Sequence, residues 1–170
     1  ETHSFEGKVF RARHDMGFRF KTLRSNIPLM IGTFGPQTAK MAGEIADGIL
    51  VSCVADHDYF QFLVKNFDAG AAEAGRDSSV LEKAVSPLCC ISSKRDDAFD
   101  LMRRKLPNIL KYLSPLTEHA GIKQADIPHN DFNLEALDPS KPAPETSLTE
   151  DQIRFFSTVG TPSDVIPQVE

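Results

Sequence analysis

The residues with the clearest chemical potential in this chain lie together in Ile31-Gly32-Thr33-Phe34-Gly35-Pro36-Gln37-Thr38. The stretch leads from the end of an apolar run into a segment with helical periodicity. Gly32 and Gly35 carry no side chain, so the backbone there can approach a ligand closely. A helix N-terminus offers free N–H groups and the positive end of the helix dipole, which attract an anion. The hydroxyls of Thr33 and Thr38 add donors, and Phe34 and Gln37 flank them. The chemistry implied is binding of a phosphate-sized anion. The same glycines also suit a plain tight strand-to-helix turn, and residue type alone favours that alternative. The pattern is neither GxGxxG nor a Walker loop.

Other candidates are weaker. Ser52 and Cys53 close the next apolar run and would line the same pocket, with a packed core cysteine an equal alternative. His3, His14, His57, His119 and His129 show no metal-ligand spacing and read as surface or loop residues. Arg76 reads as a solvated helix-end arginine before it reads as a substrate contact. No catalytic residue is assigned, and no metal is expected.

The elements that must position these residues follow a regular rhythm from Pro28 onward. Leu29-Met30-Ile31-Gly32 reads as a buried strand. Pro36 suits the first position of a helix running to Asp47, with Thr38, Ala42, Ile45 and Ala46 on one face and Gly48 as its left-handed terminator. Ile49–Cys53 reads as a second buried strand. Asp56 caps a helix carrying Phe60, Leu63, Val64, Phe67, Ala71 and Ala74 at helical spacing, and Gly75 ends it. Leu88-Cys89-Cys90-Ile91 is a third strand. Asp96-Asp97 opens a third helix with Ala98, Leu101, Met102 and Leu106, which Pro107 should kink or break before Ile109, Leu110 and Leu113. Strand and helix in alternation predict an α/β fold with parallel strands and right-handed crossovers.

The remainder differs in character. Residues 1–27 form an insert and lead-in, and 28–113 hold the strand–helix repeats. Residues 114–147 are punctuated by Pro115, Pro128, Pro139, Pro142 and Pro144, with Asn130, Asp131, Asn133 and Asp138 between them, as in a lid, a substrate loop or a disordered insert. Ser147-Leu148-Thr149-Glu150 forms a capping box for a short helix through Phe155-Phe156, and Thr161-Pro162-Ser163-Asp164 starts another. All 170 residues are expected to form one partial domain.

Composition narrows the function classes. A net charge of −5 argues against a nucleic-acid partner, and the basic group Lys94, Arg95, Arg103, Arg104 and Lys105, mixed with Asp96, Asp97 and Asp100, reads as a solvated helix face. No apolar run reaches transmembrane length, so no membrane partner is expected. Cys53, Cys89 and Cys90 are odd in number, and two of them are adjacent inside an apolar run, which suggests buried, reduced thiols and a cytoplasmic setting. There is no signal-peptide pattern. Both ends read as cuts within a longer protein.

Five phrases carry a family resemblance. Ile27–Pro36 followed by Ala42-Gly43-Glu44-Ile45-Ala46-Asp47-Gly48 resembles the luciferase-like superfamily, in particular its branch of methylenetetrahydromethanopterin reductases and deazaflavin-dependent dehydrogenases. Phe5–Phe10 resembles the hairpin before the family's fifth strand, Gly70–Asp77 the end of the helix after the sixth, and Val159–Pro162 the turn before the last helix–strand unit. The resemblance implies a partial (β/α)₈ TIM barrel, about strands five to seven with their helices, with the cofactor at the C-terminal ends of the strands. It implies coenzyme F420 (a deazaflavin) as cofactor, its phosphate held around Phe34 and Gly35 with Gln37 and Thr38, and hydride transfer to or from a small-molecule substrate. FMN in a monooxygenase using O₂ is the alternative, and a non-catalytic flavin-binding barrel the second. It also implies a homodimer at full length, acid/base residues outside this chain, and an isolated chain that is inactive and left with unpaired strand edges.

Overall fold

The computed structural model describes residues 4–12, 20, 21, 23, 24, 26–114, 116–127, 138, 140 and 147–169. A small hairpin comes first: β1 (Phe5–Glu6) pairs antiparallel with β2 (Arg11–Ala12), closed by Gly7 N–H donating to Phe10 O at 2.9 Å. The expected hairpin is thus present. Pro115, Pro128, Pro139, Pro142, Pro144, Asn130, Asp131, Asn133, His3, His14 and His129 lie outside the described residues.

The strand–helix repeats follow as read. β3 (Met30–Thr33) leads into α1 (Pro36–Ile45), with Pro36 at its start. β4 (Gly48–Ser52) leads into α2 (His57–Glu73). β3 pairs parallel with β4, Met30 opposite Gly48 and Thr33 opposite Val51. β4 is buried along most of its length because it has a partner on each side. β3 alternates between exposed and half-buried positions, since no described strand covers its other edge, so the expectation of a fully buried run fails there.

Gly48 is not a helix terminator. α1 ends at Ile45 through an extended Ala46, and Gly48 opens β4, where an added Cβ would stand 2.7 Å from Glu82 O. Beyond that cap Asp47 ties the chain to the residue before β3: its carboxylate accepts from Leu29 N–H at 2.8 Å and its own N–H donates to Leu29 O. The buried face of α1 is Ala39, Ala42 and Gly43, with Ala46 beyond, while Ile45 points to solvent. Small residues are needed because α1 and α2 nearly touch. A Cβ on Gly43 would lie 1.9 Å from Phe67 O, and one on Gly70 the same distance from Lys40 O.

α2 is capped as expected. Asp56 Oδ1 accepts Tyr59 N–H at 2.8 Å, and Gly75 at φ +68° closes the far end, with Arg76 N–H reaching Ala71 O and Gly75 N–H reaching Ala72 O. Asp56→Ala is expected to cost about 1 kcal/mol of stability, measured as a shift in the denaturation midpoint at unchanged slope. Arg76 is half-buried and donates to Gly43 O at 2.6 Å, fastening the end of α1 rather than extending into solvent.

A polar strand, β5 (Glu82–Ser86), pairs parallel with β4 and was not expected, because Glu-Lys-Ala-Val-Ser lacks an apolar run. Pro87, without an N–H, separates it from β6 (Leu88–Ile91), the expected third strand. β7 (Ser157–Gly160), also unforeseen, pairs parallel with β6, Leu88 opposite Ser157. Just before β7, Phe155 O accepts from the N–H groups of Ala55 and Asp56, which joins this part of the chain to the segment that follows β4.

α3 (Arg95–Leu110) runs through Pro107 without breaking, and Phe99, Met102, Leu106 and Leu110 bury its inner face. Leu101 is exposed. The basic group is not simply solvated: Arg104 is buried, Arg103 pairs with Asp100 at 2.8 Å, and Arg95 forms a two-pronged pair with Glu150 while its guanidinium stands 4.4 Å from the Phe99 ring centre. The first part of the expected lid is folded. α4 (Leu116–His119) and a turn at Gln124–Asp126 bury Leu116, Ile122 and Ile127 in the common core. α5 (Glu150–Phe156) starts two residues later than expected: its capping box joins Thr149 to Gln152, not Ser147 to Glu150. α6 (Pro162–Val169) starts at Pro162 as read.

The Arg95 hydrogen bond holds the Glu150 carboxyl below the usual glutamate range, and Thr161 does the same for Asp164. A carboxyl depressed in the folded state stabilises it above the unfolded pKa and ceases to do so as pH falls through the folded one. The unfolding temperature should therefore drop as pH falls below about 4.3, and Glu150→Gln should flatten that slope.

Candidate functional site

The predicted anion turn sits where β3 meets α1. Gly32 and Thr33 end the strand, Phe34 and Gly35 form the turn, and Gln37 and Thr38 lie in the first turn of the helix. Gly35 is the N-cap in an extended conformation, with φ −112° and ψ 139°, which any residue can adopt. α1 has no side-chain cap, Pro36 has no N–H, and the first intrahelical bond runs from Ala39 to Gly35 O at 2.9 Å. The N–H groups of Gln37 and Thr38 thus point out of the helix end with no capping side chain to receive them.

Both glycines are open. A Cβ on Gly32 would have Leu50 O as its nearest neighbour, at 4.0 Å, and one on Gly35 would have Thr33 Oγ1, at 3.9 Å. The fold's own atoms would therefore accept a methyl group at either position. This separates Gly32 and Gly35 from Gly43, Gly48 and Gly70, whose missing side chains are required by neighbouring backbone. Thr33 also shapes the turn: its Oγ1 accepts Gly35 N–H at 3.0 Å. Thr38 remains the hydroxyl beside the open N–H groups.

Tyr59, which sequence reasoning passed over, fixes the turn from behind, donating from its hydroxyl to Phe34 O at 2.8 Å. Its ring belongs to an aromatic group with Phe62, Phe155 and His119, at centroid distances of 5.8, 5.7 and 4.7 Å. These four, with Asp56 and Asp58, line an open cavity of about 380 Å³. The only sequence signal for Tyr59 was its place three residues after the cap Asp56.

Ser52 ends β4 on the same side of the sheet as the turn, half-buried and opposite Ser86. Cys53 follows with φ +58°, the only described non-glycine residue in that region, and donates its N–H to Ser86 O at 2.9 Å. Burial pushes its thiol up, which favours the protonated form. The three cysteines are free, but the expected burial fails: Cys53 and Cys90 are half-buried and Cys89 is exposed, on a strand with one face open. Among the described residues no group of three or more His, Cys, Asp or Glu side chains could hold a metal, and no helix is long and apolar enough to cross a membrane.

The chain is similar to known proteins along nearly all of its length. The chain is 27% identical, over 97% of its length, to 5,10-methylenetetrahydromethanopterin reductase of Archaeoglobus fulgidus, and 32% identical, over 86%, to the Methanopyrus kandleri protein of that name. It spans 49% and 41% of those relatives, about half their length. Among solved structures it superposes with a TM-score of 0.73 and 25% identity on the coenzyme F420 dependent tetrahydromethanopterin reductase of Methanopyrus kandleri, covering 97% of this chain and 47% of that one. An F420-dependent secondary alcohol dehydrogenase shares the fold, with a TM-score of 0.67 at 18% identity over 99% of this chain and 46% of that one. The parallel strand–helix units are thus part of a (β/α)₈ barrel of the kind these enzymes build. The family model described as luciferase-like monooxygenase matches residues 1–170 throughout, and the chain belongs to that family.

Proposed function

We propose that Gly32, Thr33, Phe34, Gly35, Gln37 and Thr38 hold the phosphate of coenzyme F420 in an oxidoreductase that transfers hydride between this cofactor and a small organic substrate. One observation carries the proposal: an uncapped helix start faces two glycine positions that the fold itself leaves open. A phosphate oxygen in that space would accept from the N–H groups of Gln37 and Thr38 and from the Thr38 hydroxyl, and the α1 dipole would favour its charge. Ser52 and Cys53 would line the pocket at the end of β4 without taking part in proton or electron transfer. When bound, the deazaflavin ring supplies the hydride chemistry. The chain's residues bind, orient and shield it.

Support for F420 comes from the tetrahydromethanopterin reductase and its relatives, whose sequences align along nearly all of this chain. FMN also carries a phosphate, and the family description includes monooxygenases, so a flavin monooxygenase using O₂ is the second outcome to test. The experiment is to purify the full-length protein, record its visible spectrum and weigh the bound cofactor. A deazaflavin and substrate-dependent change in its absorbance are expected. FMN with O₂ consumption would replace the proposal by its alternative, and binding of neither would overturn both. Sedimentation of the same sample checks the homodimer that the resemblance implies.

A further inference from the structure

The side chain that supports the turn from outside it is itself buried. Tyr59 is 5% exposed, yet its hydroxyl crosses from α2 to Phe34 O, the carbonyl at the tip of the turn. Its backbone is pinned by the Asp56 cap, and its ring is packed against His119 of α4 and Phe155 of α5. Each of these contacts comes from a different element, so the position of the phenol reports where α4 and α5 lie. Burial keeps that phenol protonated, hence a donor.

We propose that Tyr59 is a positioning residue for the phosphate turn, and that α4 sets cofactor affinity through it. His119 presses on the ring, the ring places the hydroxyl, and the hydroxyl holds the Phe34 carbonyl, so the Gln37 and Thr38 N–H groups converge on one point. The two N–H donors are fixed to the backbone with no side-chain adjustment available, and a small rotation of Phe34–Gly35 would misdirect both. The short helix α4 thereby acts as a strut under the cofactor's anionic end. This inference rests on the phosphate assignment above.

The test compares two ligands on the full-length protein: coenzyme F420 and the corresponding deazaflavin lacking the phosphate. Tyr59→Phe is expected to weaken F420 about fivefold to tenfold, from the loss of one hydrogen bond to a positioned carbonyl, and to leave the phosphate-free ligand unaffected. His119→Ala is expected to weaken F420 about twofold to threefold in the native background and to add nothing to Tyr59→Phe, because both act through one contact. Equal weakening of the two ligands, no weakening of either, or a His119 effect undiminished in the Tyr59→Phe background would each overturn the proposal. Gly35→Asp, measured alongside, separates the two levels. If it fails to discriminate between the ligands, the phosphate assignment is wrong and the strut falls with it. If it discriminates and Tyr59→Phe does not, the assignment stands and only the strut is wrong.

Discussion

Gly43→Ala is expected to destabilise the fold by about 3 kcal/mol, at the upper end for forced overpacking. The new methyl would meet the carbonyl oxygen of Phe67, and backbone cannot rotate away as the end of a flexible side chain can. α1 and α2 would have to separate, opening the Ala39, Ala42, Leu63 and Phe67 contacts at their centre. Gly70→Ala, aimed at Lys40 O from the other helix, should cost a similar amount, and the pair should cost less than the sum, since one separation relieves both clashes. Gly32→Ala is the control: in a strand with open space beside it, it should be neutral or stabilise by about 0.5 kcal/mol. Chemical denaturation of the full-length protein reads all four. A loss below about 1 kcal/mol at Gly43 would show that the helices are not in the contact described.

Gly35→Asp should move stability and binding in opposite directions. Aspartate is a preferred N-cap residue, and α1 has no side-chain cap, so the carboxylate would accept from the Gln37 or Thr38 N–H and stabilise the helix by about 1 kcal/mol. The same carboxylate would take the donors a phosphate needs and repel its charge. At about 5 Å and an effective dielectric near 20, that repulsion is about 3 kcal/mol before ionic screening, so a loss of about thirtyfold or more in cofactor affinity is expected. A variant that is both more stable and weaker in binding is hard to explain unless the helix start is the anion site. Gly35→Asn retains the capping oxygen without the charge and should lose less affinity.

How far the chain could be read from its sequence depended on where each signal was local. The α/β alternation was legible because Pro36, Asp56 and Gly75 punctuate it by local rules and each takes the predicted place. β5 was not, since Glu-Lys-Ala-Val-Ser is a strand only by virtue of pairing with β4, and β7 likewise takes its identity from β6. Pro107 misled in the other direction: tertiary packing of Phe99, Met102, Leu106 and Leu110 carries α3 past it. At the site, the turn was visible and its supports were not. Nothing in the sequence joins Tyr59 to Phe34 across 25 residues. The phrase Ala42–Gly48, which carried much of the family resemblance, proves structural: Gly43 admits α2, Asp47 ties down Leu29, and Gly48 admits Glu82. Gly32 and Gly35, in the same neighbourhood, have no such need.

That contrast is the basis for proposing the turn as a binding site, and it can be measured directly. The dissociation constants of coenzyme F420 and of its phosphate-free deazaflavin should be determined for the full-length protein and for Gly35→Asp. The native protein should prefer the phosphate-bearing form, and the variant should lose most of that preference while binding the phosphate-free form as before. A preference of the same size in both proteins would contradict the assignment of Gly32–Thr38 as the phosphate site.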